Sequence, residues 1–238
     1  MTSSDPKSNA TMAPPHRRRI QRRRVKICGV TTPEDAVLAA DLGADLLGLN
    51  FYKQSPRYVD EGRARELVAA VGPRVTWAGV FVNLPVAEAE GIADRVGLDV
   101  IQLHGDESPE DAAALGPRAL PVLRVRDTLD RSAIDRALAT DPWGLLLDTH
   151  HPRLYGGTGH GWDFGSLRQL AGTGGPLHGR RVLVAGGLRP GNARAAADAS
   201  DAWGIDLCSG VEARPGIKDP RLMRDLFEEI HHAESSAV

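Results

Sequence analysis

A lysine and a cysteine stand two residues apart in Val25-Lys26-Ile27-Cys28-Gly29-Val30. The run is short, β-prone and stopped by a glycine, which predicts a buried strand. Residues two apart share a face of a strand, so Lys26 and Cys28 point the same way. A cysteine there either packs as a small apolar side chain or works as a thiolate. The run alone leaves both readings open. Asp148 ends the apolar stretch Leu145-Leu146-Leu147. A carboxylate in that place is costly to bury unless it has partners or work. Partial burial would raise its pKa and suit a general acid, whereas a structural aspartate would cap the next loop.

Two glycine loops carry a second kind of chemistry. Ala185-Gly186-Gly187-Leu188 and Cys208-Ser209-Gly210-Val211-Glu212 expose backbone N–H groups without side-chain obstruction. Such loops let a phosphate approach the main chain, and Ser209 adds a hydroxyl donor. Gly156-Gly157-Thr158-Gly159 has no following Lys-Ser or Lys-Thr, so it is not a nucleoside-triphosphate loop and reads as a lid. His104 follows Gln102 at a strand end and is expected to be a hydrogen-bonded wall residue. No second histidine or carboxylate stands at metal-ligand spacing beside it. His150 and His151 are adjacent and point apart, so no metal site is expected. Asp206 lies two residues before Cys208, on the same face. If strands one and eight are neighbours, Lys26 and Asp206 pair inside the fold.

Eight such apolar runs alternate with eight helical stretches. The runs are 25–30, 46–51, 76–82, 99–104, 120–125, 143–149, 181–186 and 205–210. The helical stretches are 33–42, 61–71, 86–96, 109–115, 129–139, 164–170, 190–199 and 220–231. Thr32-Pro33-Glu34-Asp35 has an N-cap residue, a first-turn proline and acids at the positive helix end. Gly43 and Gly97 sit where helices should stop. This alternation predicts an α/β fold, a single (β/α)8 TIM barrel spanning 25–232. An open doubly wound sheet would carry a G-x-G-x-x-G turn after the first strand, and Gly29-Val30-Thr31-Thr32-Pro33 does not fit it. In such a barrel the strand C-termini bear the active site, and the last two loops often bind phosphate. The strand ends here offer Cys28, Arg57 in the second loop, Asn83, Gln102, His104, Arg124, Asp148 and the two glycine loops.

Residues 1–24 differ in kind. Seven positive charges, six of them arginines between 17 and 24, face Asp5 alone, so this leader is +6 and the remainder −8. It has nothing to bury and is expected to be disordered, with 233–238 as a flexible tail. No aromatic residues interleave the arginines, so no nucleic-acid partner is expected. Two distant cysteines give neither a disulfide framework nor a zinc motif, and a reducing cytoplasm suits them. No run is long and apolar enough to span a membrane.

Several motifs in order resemble the phosphoribosylanthranilate isomerase family of tryptophan biosynthesis. They are Lys26-Ile27-Cys28-Gly29, Ser55-Pro56-Arg57-Tyr58, Gly79-Val80-Phe81-Val82-Asn83, Gln102-Leu103-His104-Gly105-Asp106-Glu107 and Leu147-Asp148-Thr149. Gly156-Gly157-Thr158-Gly159, Ala185-Gly186-Gly187-Leu188, Ser209-Gly210-Val211-Glu212 and Pro215-Gly216-Ile217-Lys218-Asp219 complete the set. The resemblance implies an isomerase with no metal and no cofactor, acting on a small phosphorylated substrate as a monomer or homodimer. It implies Asp148 as general acid, Cys28 as general base and Arg57 as the grip on a carboxylate. It further implies that the glycine loops, with Gly186, Gly187, Ser209 and Gly210, take the phosphate, and His104 on the wall is a further candidate substrate contact. The segment His160-Gly161-Trp162-Asp163-Phe164 departs from the family's usual Phe-Asp-Trp order and bears on substrate preference. A related barrel isomerase acting on another aminoribosyl phosphate, or a non-catalytic phosphate- or RNA-binding barrel, is the alternative.

Overall fold

In a computed structural model, describing residues 22–125, 129–148, 164–171 and 174–235, the apolar runs become eight short strands. They are β1 (Arg24–Cys28), β2 (Leu46–Asn50), β3 (Thr76–Phe81), β4 (Val100–Leu103), β5 (Ala119–Arg124), β6 (Leu145–Asp148), β7 (Val182–Ala185) and β8 (Gly204–Leu207). All pair in parallel in sequence order, and β8 closes on β1. The sheet is therefore a barrel and not an open doubly wound sheet. Most strands stop a residue or two before the apolar runs do. Val30, for example, is fully buried yet lies beyond β1, so apolar character marks burial there and not the ladder.

The helices are α1 (Pro33–Leu42), α2 (Glu61–Val71), α3 (Val86–Val96), α4 (Pro109–Leu115), α5 (Arg131–Leu138), α6 (Phe164–Ala171), α7 (Ala193–Ser200) and α8 (Pro220–Ser235). The first four keep the expected limits because their end signals are explicit. Thr32 accepts from the Asp35 N–H at the start of α1, and Gly43 closes it in the left-handed conformation. Ser108 and Asp111 form a reciprocal capping box on α4. Such caps contribute about 1 kcal/mol each. α7 begins three residues later than expected, because Arg189 and Asn192 close a turn ahead of it.

Two core layers follow from strand alternation. Outward residues such as Val25, Ile27, Leu47 and Leu49 pack against the helices. Inward residues Ala78, Val100, Leu120, Leu146 and Leu183 fill the barrel. Each buried leucine or isoleucine contributes about 1.5–3 kcal/mol. The inward face of β1 and β8 breaks this pattern with Lys26 and Asp206.

The described residues begin within the segment expected as a leader, 1–24. Arg24 opens β1, Arg23 pairs with Asp201 and donates to the Ala202 carbonyl, and Arg22 donates to the Gly43 carbonyl. These three arginines brace the barrel floor. The rest of the expected leader lies outside the described residues. At the other end α8 runs to Ser235, past the expected boundary at 232. One element was not expected at all. β9 (Glu212–Arg214) and β10 (Ile217–Lys218) form an antiparallel hairpin between β8 and α8.

Candidate active site

The mouth is built first by the β8–β1 seam. Parallel pairing sets Lys26 opposite Asp206, and the Lys26 ammonium reaches both carboxylate oxygens at 3.0 Å. The expected internal ion pair is present. Burial pushes the Asp206 carboxyl up to about 7, with Lys26 pulling against it. Burial also works against the charge on Lys26, but Asp206 and Cys28 outweigh it and its pKa is raised. One step of the pleat higher, the register that pairs Ile27 with Leu207 sets Cys28 beside Cys208. The Cys28 thiol is held well below its ordinary range, first by hydrogen bonding from Cys208 and then, against burial, by the charges of Lys26 and Lys218. A thiol so placed favours its thiolate form, which makes it a competent base.

The unexpected hairpin completes this seam. Lys218 is buried and donates to the carbonyls of Cys28 (2.6 Å) and Cys208 (3.2 Å) and to Glu212 Oε1 (3.0 Å). It ties the ends of β1 and β8 together. Glu212 in turn accepts a two-pronged bond from Arg57, at 2.8 Å from Nε and 2.7 Å from Nη2. Burial opposes the Glu212 charge, but Arg57 and Lys218 hold its carboxyl below the usual range. Arg57 is thereby aimed, with its Nη1 edge free of any partner among the described residues. The Arg57 stem crosses Gly29, where a β-carbon would lie 2.5 Å from Cδ. Gly29 also has φ +70°, so no other residue fits this turn without strain.

The facing wall holds Asp148 and His104. Asp148 ends β6 with its side chain 19% exposed, and His104 Nε2 lies 3.7 Å from its Oδ2. Gln102 Nε2 sits 2.8 Å from His104 Nδ1. As assigned, the amide donates there, which leaves the ring proton on Nε2, facing Asp148. Burial lowers the His104 pKa, so the ring is neutral at pH 7. His104 also feels the charges of both Cys28 and Asp148. Arg124 stands at the end of β5, paired in register with Asp148 on β6. It donates to Asp106 and to the His104 carbonyl, and so steadies the β4 loop.

The two glycine loops meet beside this mouth. Gly186 and Gly187 both have positive φ. Gly210 packs directly on the Leu188 carbonyl, where a β-carbon would lie 1.9 Å from the oxygen. Ser209 and Gly210 begin a short 3-10 turn at the end of β8. Gly156-Gly157-Thr158-Gly159, His150 and His151 lie outside the described residues. Among the described residues no three His, Cys, Asp or Glu side chains gather as a metal site, and no helix is long and apolar enough to cross a membrane.

Sequence reasoning placed Cys28, Arg57, His104, Asp148 and the glycine loops at the strand C-termini, where all of them stand. It missed Cys208, Glu212 and Lys218 as neighbours of Cys28 and Arg57. The signal for Cys208 was present, because pairing Lys26 with Asp206 sets residues 28 and 208 side by side two positions later.

Comparison with known proteins agrees with this arrangement. The family model for N-(5'-phosphoribosyl)anthranilate (PRA) isomerase matches residues 25–229. The N-(5'-phosphoribosyl)anthranilate isomerase of Myxococcus xanthus is 45% identical over 202 residues, covering 84% of this chain and 92% of that protein. The phosphoribosyl anthranilate isomerase of Thermotoga maritima superposes with a TM-score of 0.73 at 34% identity, covering 88% of this chain and 99% of that one. A phosphoribosyl anthranilate isomerase solved with reduced 1-(o-carboxyphenylamino)-1-deoxyribulose 5-phosphate superposes with a TM-score of 0.72 at 31% identity, over 88% and 99% of the two chains. The barrel, the thiol–carboxylate mouth and these likenesses agree: the chain belongs to the phosphoribosylanthranilate isomerase family of tryptophan biosynthesis.

Proposed function

We propose that this enzyme converts N-(5-phosphoribosyl)anthranilate to 1-(2-carboxyphenylamino)-1-deoxyribulose 5-phosphate, with Asp148 as acid and Cys28 as base. Asp148 gives its proton to the ribose ring oxygen. The C1′–O bond breaks as the anilino nitrogen lone pair forms the C1′=N iminium. The Cys28 thiolate then takes the C2′ proton. Those electrons form C1′=C2′ and neutralise the nitrogen. The enolamine tautomerises to the ketone, with a proton added at C1′. The iminium acidifies C2′, so a thiolate of modest basicity suffices.

The observation that carries this reading is the charge environment of Cys28. Lys26 and Lys218 favour its anion, while Asp148 stands on another strand beyond His104. Arg57, aimed by Glu212, suits the anthranilate carboxylate, because a guanidinium grips a carboxylate with parallel hydrogen bonds. Gly186, Gly187, Ser209 and Gly210 suit the phosphate, and His104 the wall between. A reducing cytoplasm fits a reaction whose base is a free thiol.

The test is turnover of phosphoribosylanthranilate by the purified protein, alongside rescue of a tryptophan auxotroph lacking this step. Cys28→Ser and Asp148→Asn should each lower kcat by about 10²–10⁴-fold, with the fold intact by circular dichroism. Near-normal turnover in either variant would overturn that residue's role.

A further inference from the structure

The Cys28 base reading leaves one question, which is what keeps its sulfur anionic and aimed. Counting protons around the sulfur answers it. Lys218 carries three, and all three are spent, on the Cys28 carbonyl, the Cys208 carbonyl and Glu212. It offers field but no hydrogen bond. Lys26 spends two of its three on Asp206, which leaves one for the Cys28 sulfur. The remaining donor is the thiol of Cys208, the neighbour of Cys28 across the β1–β8 seam. Its other acceptor is Glu212 Oε1, at 3.9 Å. That oxygen already accepts from Arg57 at 2.8 Å, Lys218 at 3.0 Å and the Gly216 N–H at 3.3 Å. A fourth, longer bond to it is weak, so the Cys208 proton is left for Cys28.

The backbone enforces this meeting. Ile27 pairs with Leu207, so the next residues, Cys28 and Cys208, are cross-strand neighbours on the inward face. Lys218 clamps both of their carbonyls, which fixes the two side chains relative to one another.

We propose that Cys208 is a positioning residue for the proton abstraction: its thiol donates a hydrogen bond to the Cys28 sulfur and holds it as the aimed thiolate. The inference rests on Cys28 being the base, and on nothing else in the mechanism. The charged groups around Cys28 are Lys26 on β1, Asp206 on β8, Glu212 and Lys218 on the hairpin, Arg57 after β2, His104 after β4 and Asp148 on β6. Among them Lys26 alone has a proton left for the sulfur, so the Cys208 thiol is the second donor and not a substitute for the first.

The test compares Cys208→Ala with Cys208→Ser. Ionisation of Cys28 is read as its alkylation rate against pH by iodoacetamide, resolved by peptide mass, with thiolate ultraviolet absorbance as a second reading. In Cys208→Ala the Cys28 titration should move upward by about one pH unit, and kcat/KM at pH 7 should fall about tenfold and recover in alkali. Cys208→Ser keeps a donor and should bring both profiles back toward wild type. Unchanged Cys28 ionisation in Cys208→Ala would overturn the proposal, as would a serine variant shifted as far as the alanine one. Failure of the base reading looks different: Cys28→Ser would stay active whatever Cys208 does to the titration.

Discussion

The β8–β1 seam and the wall carrying Asp148 and His104 bound the same mouth and are built by different rules. On the seam the polar groups are engaged in chains. Asp206 holds Lys26, Lys218 holds two carbonyls and Glu212, and Glu212 holds Arg57. On the facing wall Asp148 is partly exposed, and among the described residues its one ionic contact is His104 at 3.7 Å. The proposed roles explain the contrast. A base that must stay anionic needs fixed neighbours, because its charge state is set by distance and burial. An acid that must give up a proton and regain one in each cycle needs exchange with water. Rigidity serves the first and access serves the second.

Stability offers the largest way to break this comparison. Asp206→Ala leaves the Lys26 ammonium buried and without its partner, which should cost about 3–5 kcal/mol. Asp148→Asn keeps shape at a partly exposed site and should stay within about 0.5 kcal/mol of wild type. Urea unfolding of both variants reads the difference. Equal losses would mean that the two walls are equally rigid.

Packing sharpens the same point at a smaller scale. Gly48 lies opposite Cys28 on β2, and a β-carbon there would lie 2.9 Å from the Cys28 sulfur, 3.1 Å from its Cα and 3.2 Å from Lys26 Nζ. The backbone atom is the one that yields least. Gly48→Ala should cost about 1–3 kcal/mol by overpacking, and should depress kcat more than it raises KM, because it displaces the sulfur without touching the carboxylate grip. A rise in KM alone would mean that the seam tolerates movement.

These residues also show what the sequence made legible. Lys26 and Asp206 were readable because strand alternation and barrel closure are regular: two inward residues on adjacent strands must meet. Gly48 carried a signal, since a glycine inside a strand marks a close approach, but nothing in the sequence said to what. The hairpin was not readable. Glu212–Arg214 and Ile217–Lys218 are three and two residues long and mostly polar, so neither makes an apolar run. Lys218 and Glu212 therefore read as loop residues, although they fix the base and Arg57. Arg22, Arg23 and Arg24 misread for the opposite reason. A run of arginines looks solvated until acceptors from other elements, here Asp201, Asp45 and the Gly43 and Ala202 carbonyls, are brought beside it.

The smallest effect tests the looser wall. His104 is neutral at pH 7 because burial lowers its pKa, aided by Lys26 and Arg124 and opposed by Cys28 and Asp148. Its folded value lies below the unfolded 6.5, so the contribution to stability is present above pH 6.5 and is lost as pH falls through the folded value. The wild type should therefore lose stability more steeply than His104→Gln between pH 6.5 and the lower folded value. The difference is bounded by one proton, about 1.4 kcal/mol per pH unit, and is reduced further because a third of the side chain is exposed. Urea midpoints across that window, with NMR titration of the His104 ring, read both the sign and the size. A ring that titrates above 6.5 would mean that the charges of Cys28 and Asp148 outweigh burial. The wall around Asp148 would then be organised by charge pairing, as the seam is, and the contrast between the two would fail.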